Sequence, residues 1–416
     1  MDLLIYKALY AVSCILRWLF FTSRAGAIAS NFILYYLAKM FSSKQKAYSE
    51  SEYVGFTRVV GFALKGNAAA IALQKKFLNL TPIVKRRMML FACIHLVGRR
   101  IRKRLLKKGW IVPYNVYLSP SYRCNLSCRS CYAAGRSGDL PIETIDRIVR
   151  EQEVLGIYNV IITGGEPLLR DDLWLIYERY PYTAFSVFTN GTLLTKECVE
   201  KISRLGNVRL MVSLDGFREK TDNRRGEGVY DKAILALELC QQANIFYGVS
   251  VMVDRDNFDE VVSIAFIKRL VEAGAHAVIF PLCMPLGCGD FSLMPTLEQV
   301  EFLQTWSEYI KTRYPILPII GKNGSSIVTA CSAASQRVHI TANGDVEPCV
   351  FCQWATDNIS GGKSILQVMN SDFFQVIRYF NQSGETFLNP CKVGQSIFLQ
   401  KAFDMAGAYP TAKNNK

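Results

Sequence analysis

The chain has 416 residues, half of them hydrophobic and a fifth charged, which allows two or three domains around a sizeable core and excludes both a disordered chain and a multi-span membrane protein. The formal charge of +14 is unevenly spread: residues 1–110 hold 20 Lys+Arg against 3 Asp+Glu, while the rest hold 29 against 32. A basic segment beside a nearly neutral body marks a local attachment surface for anionic lipid or nucleic acid.

In chain order, residues 3–21 and 25–41 are apolar stretches separated by Thr22-Ser23-Arg24 and read as helix. A bilayer span wants about 20 residues with few charges. Lys7 and Arg17 interrupt the first stretch, and Asn31 and Lys39 the second. Helices lying in the membrane interface, with Trp18 and the tyrosines at headgroup level, are therefore expected. An ordinary helical cap with a solvated basic face is the plainer alternative. A third apolar-basic stretch, 83–106, ends in Arg99-Arg100-Ile101-Arg102-Lys103-Arg104. No cleavable signal peptide is evident. The odd count of 13 cysteines, several at metal-ligand spacing, points to a reducing compartment and metal ligation over disulfides. The expected location is cytoplasmic, peripheral on the inner face of the membrane. Cys14, Cys93, Cys198 and Cys240 stand alone in apolar or helical stretches and read as ordinary core residues.

From Val112 onward, short β-rich runs at 115–118, 159–163, 184–189, 208–214, 247–253 and 277–281 alternate with helical patterns at 142–155, 171–180, 196–205, 230–243 and 258–273. This alternation predicts a parallel α/β sheet. The distinctive residues fall just after the strands, where α/β barrels place active sites. Beyond Pro281 the texture loosens. Thr341-Ala342-Asn343-Gly344-Asp345 reads as a hairpin turn between 337–340 and 346–350.

After the first strand, Cys124, Cys128 and Cys131 stand at x3 and x2 spacing in a loop. Three such thiolates can wrap three corners of a cubane cluster and leave one iron open; a zinc knuckle with a distant fourth ligand is the alternative from spacing alone. Gly164-Gly165-Glu166-Pro167 follows the second strand, Thr189-Asn190-Gly191 the third, and Ser213-Leu214-Asp215-Gly216 the fourth, with Asp222-Asn223-Arg224-Arg225-Gly226 shortly after. Together these elements resemble the radical S-adenosylmethionine (SAM) superfamily. The resemblance implies a partial (β/α)6 TIM-like barrel of α/β class, and a [4Fe–4S] cluster on the three cysteines that binds and reductively cleaves SAM. It implies that Gly164, Gly165, Glu166 and Pro167 receive the methionyl amino group. Asn190, Ser213 and Asp215 would lie near the ribose and methionine, and Arg225 would pair the carboxylate. Ser130 departs from the family, where an aromatic or apolar residue usually precedes the third cysteine; the role near adenine would then fall to backbone atoms or to Tyr132.

Cys331, the 337–349 hairpin ending in Cys349, and Cys391 resemble the SPASM or twitch extension of that superfamily. With Cys352 they would complete one auxiliary [4Fe–4S] cluster; His339 is the alternative to Cys352 as a ligand, and a structural zinc site is the alternative to iron. The expected organisation is an N-terminal helical region (1–110), a barrel (111–282), and a substrate loop with the small auxiliary-cluster domain (283–416). Cys283 and Cys288, in the loop after the sixth strand, are candidates for hydrogen-atom donation and otherwise ordinary loop cysteines.

The expected function is a radical SAM enzyme that abstracts hydrogen from an unactivated carbon, with a flavodoxin- or ferredoxin-type electron donor. The basic, apolar N-terminal region points to a lipid or polyprenyl-linked substrate at a membrane surface. A peptide or protein maturase is the alternative, and a non-catalytic membrane-anchored iron–sulfur or zinc scaffold the second. A nucleic-acid partner is disfavoured because the charge is interleaved with aliphatic runs.

Overall fold

The computed structural model describes residues 66–284, 286, 290–320, 331–382 and 403–412. The stretches 3–21 and 25–41 with Cys14, the side chain of Cys93, and Cys288 and Cys391 lie outside the described residues.

Six strands follow the expected alternation: β1 (Asn115–Leu118), β2 (Asn159–Ile162), β3 (Ala184–Thr189), β4 (Val208–Ser213), β5 (Tyr247–Ser250) and β6 (Ala277–Phe280). Each pairs in parallel with the next. Helices cover the strands, so Leu118, Val160, Phe185, Leu210, Val249 and Val278 are all fully buried, which is why the strands read as apolar runs rather than alternating ones. The intervening helices carry their own stop and start signals. Thr195 caps Lys196–Leu205 by accepting from the Cys198 N–H, and Gly206 ends it in the left-handed region.

The sheet is wider than the six strands read from sequence. Helix Leu297–Arg313, opened by a Thr296–Gln299 capping box, leads to β7 (Leu317–Ile320), parallel on β6. At the other edge β8 (Arg337–Ile340) lies parallel on β1, in register from Asn115↔Arg337 to Leu118↔Ile340. After the Asn343-Gly344 turn, β9 (Val346–Glu347) returns antiparallel, giving the order β7-β6-β5-β4-β3-β2-β1-β8-β9. The C-terminal region shares one continuous core with the barrel, running from Val116 through Ile340 to Phe373, Phe374 and Phe403.

Helices Ala68–Leu78 and Pro82–Lys107 run beneath the N-terminal ends of the strands. Phe77 packs on Phe246 and His276, the residues just before β5 and β6, at ring distances of 5.8 and 5.5 Å. Gly206, ahead of β4, lies against Ile83 and Arg87. Gly98 meets Gly156, ahead of β2, so closely that a Cβ would stand 2.2 Å from the Gly156 carbonyl oxygen. Arg102 covers the ring of Tyr114, just before β1, at 4.5 Å. These two helices form the floor of the barrel, at the end opposite the cysteine loop.

Candidate active site

The cysteine loop leaves the C-terminal end of β1 and is held by a contact from one strand-end loop after another. After β2, the Gly165 N–H donates to the Ser121 carbonyl (2.9 Å) and the Glu166 N–H to the Arg123 carbonyl (2.8 Å). The Gly164 N–H donates to the Tyr132 hydroxyl at 3.0 Å, and that hydroxyl lies 2.9 Å from Thr163 Oγ1. From the end of β3, Asn190 Nδ2 donates to Asn125 Oδ1 (2.9 Å), while Asn190 Oδ1 accepts from the Thr192 N–H and hydroxyl.

From helix Arg218–Arg225 after β4, Arg224 Nη1 donates to Ser130 Oγ (2.9 Å), and Arg225 Nη1 reaches Cys128 Sγ at 4.0 Å. From beyond β6, Cys283 Sγ lies 3.8 Å from Ser130 Oγ. Gln353, past β9, donates from Nε2 to the Tyr132 carbonyl at 3.0 Å.

The glycines are required by packing. A Cβ on Gly165 would stand 2.0 Å from the Arg123 carbonyl oxygen, and one on Gly164, already at φ +110°, would stand 2.4 Å from the Ser121 carbonyl oxygen. The buried Glu166 carboxylate closes the same seam: Oε1 accepts from Thr189 Oγ1 (2.8 Å) and the Leu168 N–H (3.0 Å), and Oε2 from the Asn190 N–H (2.7 Å). Burial pushes its pKa up, against the pull of those three donors. A carboxylate takes about four hydrogen bonds, so Oε2 keeps an acceptor position. Pro167 starts the short 3-10 turn Pro167–Leu169 behind it.

Asp215 is fully buried and organises the arginines. Its Oδ2 pairs with Arg225 Nε (2.7 Å) and Arg224 Nε (3.0 Å), and its Oδ1 accepts from the Met252 N–H (2.9 Å). Arg224 also lies 3.6 Å from Asp254. Burial lowers the Arg225 pKa, but Asp215, with Cys128 and Cys131 as thiolates, outweighs it and holds the guanidinium above its ordinary range. Ser213 ends β4 opposite Ser250 of β5, partly exposed.

Ser130 sits in the left-handed region at φ +57°. Its small side chain leaves room for Arg224 and Cys283, and this explains the departure from an aromatic there. Arg224, Asn125 and Asp254 were not singled out from sequence; two adjacent arginines at a helix end give no sign of which faces which loop.

The three cysteines of the loop are free thiols, Cys124 exposed and the others half-buried. Among the described residues no three His, Cys, Asp or Glu side chains are gathered as around one ion. The donor set fits a polynuclear cluster, in which each iron takes its own thiolate, better than a single zinc.

In the C-terminal region Cys349 and Cys352 flank a tight turn, with the Cys352 N–H donating to the Cys349 carbonyl at 3.0 Å. Tyr117, and then Cys349 and Cys331 as thiolates, act electrostatically on the half-buried Arg337 and raise its pKa against the effect of burial. His339 is committed elsewhere: Nε2 lies 2.8 Å from Ser119 Oγ and Nδ1 2.6 Å from Glu347 Oε2. Both ring nitrogens thus have partners, which favours Cys352 over the alternative, His339, as an auxiliary ligand.

Residues 118–267 match the radical SAM superfamily and residues 331–393 the SPASM iron–sulfur cluster-binding domain. An AdoMet-dependent heme synthase of Methanosarcina barkeri is 34% identical over 192 residues, 44% of this chain and 54% of that protein. The chain thus spans about half the length of that relative. The mycofactocin maturase MftC of Mycolicibacterium smegmatis is 28% identical over 67% of this chain and 76% of its own length. The sporulation killing factor maturation protein SkfB of Bacillus subtilis is 27% identical over 57% and 60%. Among solved structures, Streptococcus suis SuiB bound to S-adenosylmethionine superposes with a TM-score of 0.58 at 19% identity, covering 68% of this chain and 72% of that one. SuiB bound to its precursor peptide SuiA superposes at 0.55 and 18%, covering 66% and 68%.

Proposed function

The chain belongs to the radical SAM superfamily and carries a SPASM extension, and from that premise we propose that it modifies a peptide by abstracting hydrogen from an unactivated carbon. Cys124, Cys128 and Cys131 hold the SAM-binding cluster, and Cys331, Cys349, Cys352 and Cys391 the auxiliary one. A cluster and SAM bound at the first site supply reductive cleavage to a 5′-deoxyadenosyl radical.

The chain's own groups do the positioning. The free acceptor position of Glu166 Oε2 suits an ammonium such as the methionyl amino group. Arg225, steadied at Nε by Asp215 and with Nη1 towards Cys128 Sγ, offers Nη2 to a carboxylate. Asn190 fixes the β3 loop against the cysteine loop on the ribose side. A flavodoxin- or ferredoxin-type protein supplies the electron.

The observation that carries the peptide assignment is the joining of a SPASM match to maturation proteins among the relatives, alongside a neighbour in fold that was solved bound to a precursor peptide. The lipid substrate suggested by the basic region finds no support among the relatives, which are named as maturases and synthases, and the described helices of that region lie on the floor of the barrel, away from the cysteine loop. The non-catalytic scaffold is set aside, since the matched relatives are maturases and synthases.

The test is anaerobic reconstitution of the wild type and the Cys124→Ala/Cys128→Ala/Cys131→Ala variant, followed by iron assay and dithionite-dependent 5′-deoxyadenosine. Deoxyadenosine from the wild type alone is expected, with roughly four irons retained by the variant. Incubation with candidate precursor peptides, and separately with membrane lipid extract, then reads the substrate by mass change. A changed lipid beside unchanged peptides would overturn the peptide assignment.

A further inference from the structure

The last two turns of helix Pro82–Lys107 carry a feature that the chemistry at the barrel mouth does not use. Arg100, Lys103, Arg104 and Lys107 recur at i, i+3, i+4 and i+7, which places them in one stripe; all four are exposed, as is Lys108 at the helix cap. The opposite face is fastened down by Phe91, Ile94, Gly98 and Arg102, all buried against the barrel floor. Among the described residues no carboxylate pairs with any of the five exposed cations. The sequence has no Asp or Glu between Glu52 and Asp139. Two large apolar side chains are exposed at the same end of the helix, Leu106 (45% exposed) in its last turn and Trp110 (40% exposed) just past its cap, where the Trp110 N–H donates to the Leu105 carbonyl.

We propose that this stripe is a docking surface for an anionic lipid bilayer. Uncompensated cations in a line attract both lipid headgroups and nucleic-acid phosphates. Leu106 and Trp110 decide between them, because an indole and an aliphatic side chain among lysines gain by entering the headgroup–acyl boundary and gain nothing against a phosphate backbone. The preceding sequence is of the same kind: residues 1–65 alternate long apolar stretches with Lys and Arg. Because the stripe lies on the floor, a docked molecule turns the cysteine loop away from the bilayer. Docking sets where the enzyme works, and leaves the mouth open to a substrate from the aqueous side.

The experiment is vesicle flotation of the full chain and of the Arg100→Gln/Lys103→Gln/Arg104→Gln/Lys107→Gln variant. Phosphatidylcholine vesicles are compared with phosphatidylcholine doped with phosphatidylglycerol. The quantity read is the preference for anionic over neutral vesicles, which separates the stripe from any apolar contribution of residues 1–65. The wild type should show a strong, salt-sensitive preference, and the variant should lose it by about a hundredfold or more. Deoxyadenosine formation without vesicles should be equal in the two, since the stripe is remote from the mouth. An anionic preference unchanged in the variant would overturn the proposal. So would a wild type that ignores anionic vesicles but binds a short RNA or DNA duplex through the same four residues.

Discussion

Gly165 and Glu166 show how much of the site is held by backbone. The Gly165 Cα faces the Arg123 carbonyl with no space for a methyl group, and neither partner is a flexible side chain that could yield. Gly165→Ala should therefore cost about 3 kcal/mol or more and should block iron incorporation at the first cluster, read from iron content and visible absorbance. Glu166→Gln is subtler. Its amide must turn a donor towards one of three existing donors, Thr189 Oγ1 or the N–H groups of Leu168 and Asn190. A loss of roughly 2 kcal/mol in denaturant stability is expected, together with weaker SAM binding by equilibrium dialysis. Equal SAM affinity in the two proteins would show that the carboxylate is only a clamp.

Among the elements, helix Ala68–Leu78 packs on the barrel through Ala70 and Leu73 and through an aromatic cluster around His276. His276 sits among Phe77, Phe246 and Tyr247 at ring distances of 5.2 to 5.5 Å. Burial, with Lys76 nearby, pushes its pKa down to about 4, while its hydrogen bond to the Tyr247 carbonyl opposes the shift. An unfolded histidine titrates near ~6.5, so the unfolded chain binds the extra proton first as pH falls. The stability present above about 6.5 should decline as the pH drops towards about 4, by on the order of 3 kcal/mol at the limit. Urea midpoints at pH 7 and pH 5 check this. His276→Leu, which keeps the apolar contact and cannot titrate, should flatten that part of the pH dependence.

Across the whole molecule, a buried polar chain ties the auxiliary hairpin to the cysteine loop. His339 on β8 links Ser119, at the root of the loop, to Glu347 on β9. Glu347 also pairs with Arg136 at 2.6 Å, and Arg136 covers the ring of Tyr122 at 4.6 Å. Thr411 of the C-terminal segment donates to the same carboxylate. Burial alone would raise the Glu347 pKa, but His339 and Arg136 overcome it and hold the carboxyl below its ordinary range. Glu347→Ala leaves the Arg136 cation buried without its partner and should cost about 3–5 kcal/mol. If the chain acts as a coupling, that variant should disturb the electron paramagnetic resonance spectrum of the first cluster as well as the auxiliary one. A spectrum altered at the auxiliary cluster alone would limit the chain to local support.

The sequence by itself determined the parallel α/β class, the six strands from β1 to β6, the three-cysteine loop and the Asn-Gly hairpin. Each of these is written in local spacing: apolar runs of strand length, x3 and x2 thiols, and a turn that needs a positive φ at Gly344. Only the tertiary structure decided the rest. The pairing of β8 with β1 joins segments more than 200 residues apart, and no local pattern encodes a partner at that distance. The same holds for Asp215 gathering both arginines, for His339 spending its two nitrogens on Ser119 and Glu347, and for Ser130 yielding space to Arg224. Composition announced the basic segment; the packing of Gly98 on Gly156 and Arg102 on Tyr114 decided that its helix Pro82–Lys107 lies on the barrel floor, because a helix takes its place from the face it buries rather than from the charge it shows.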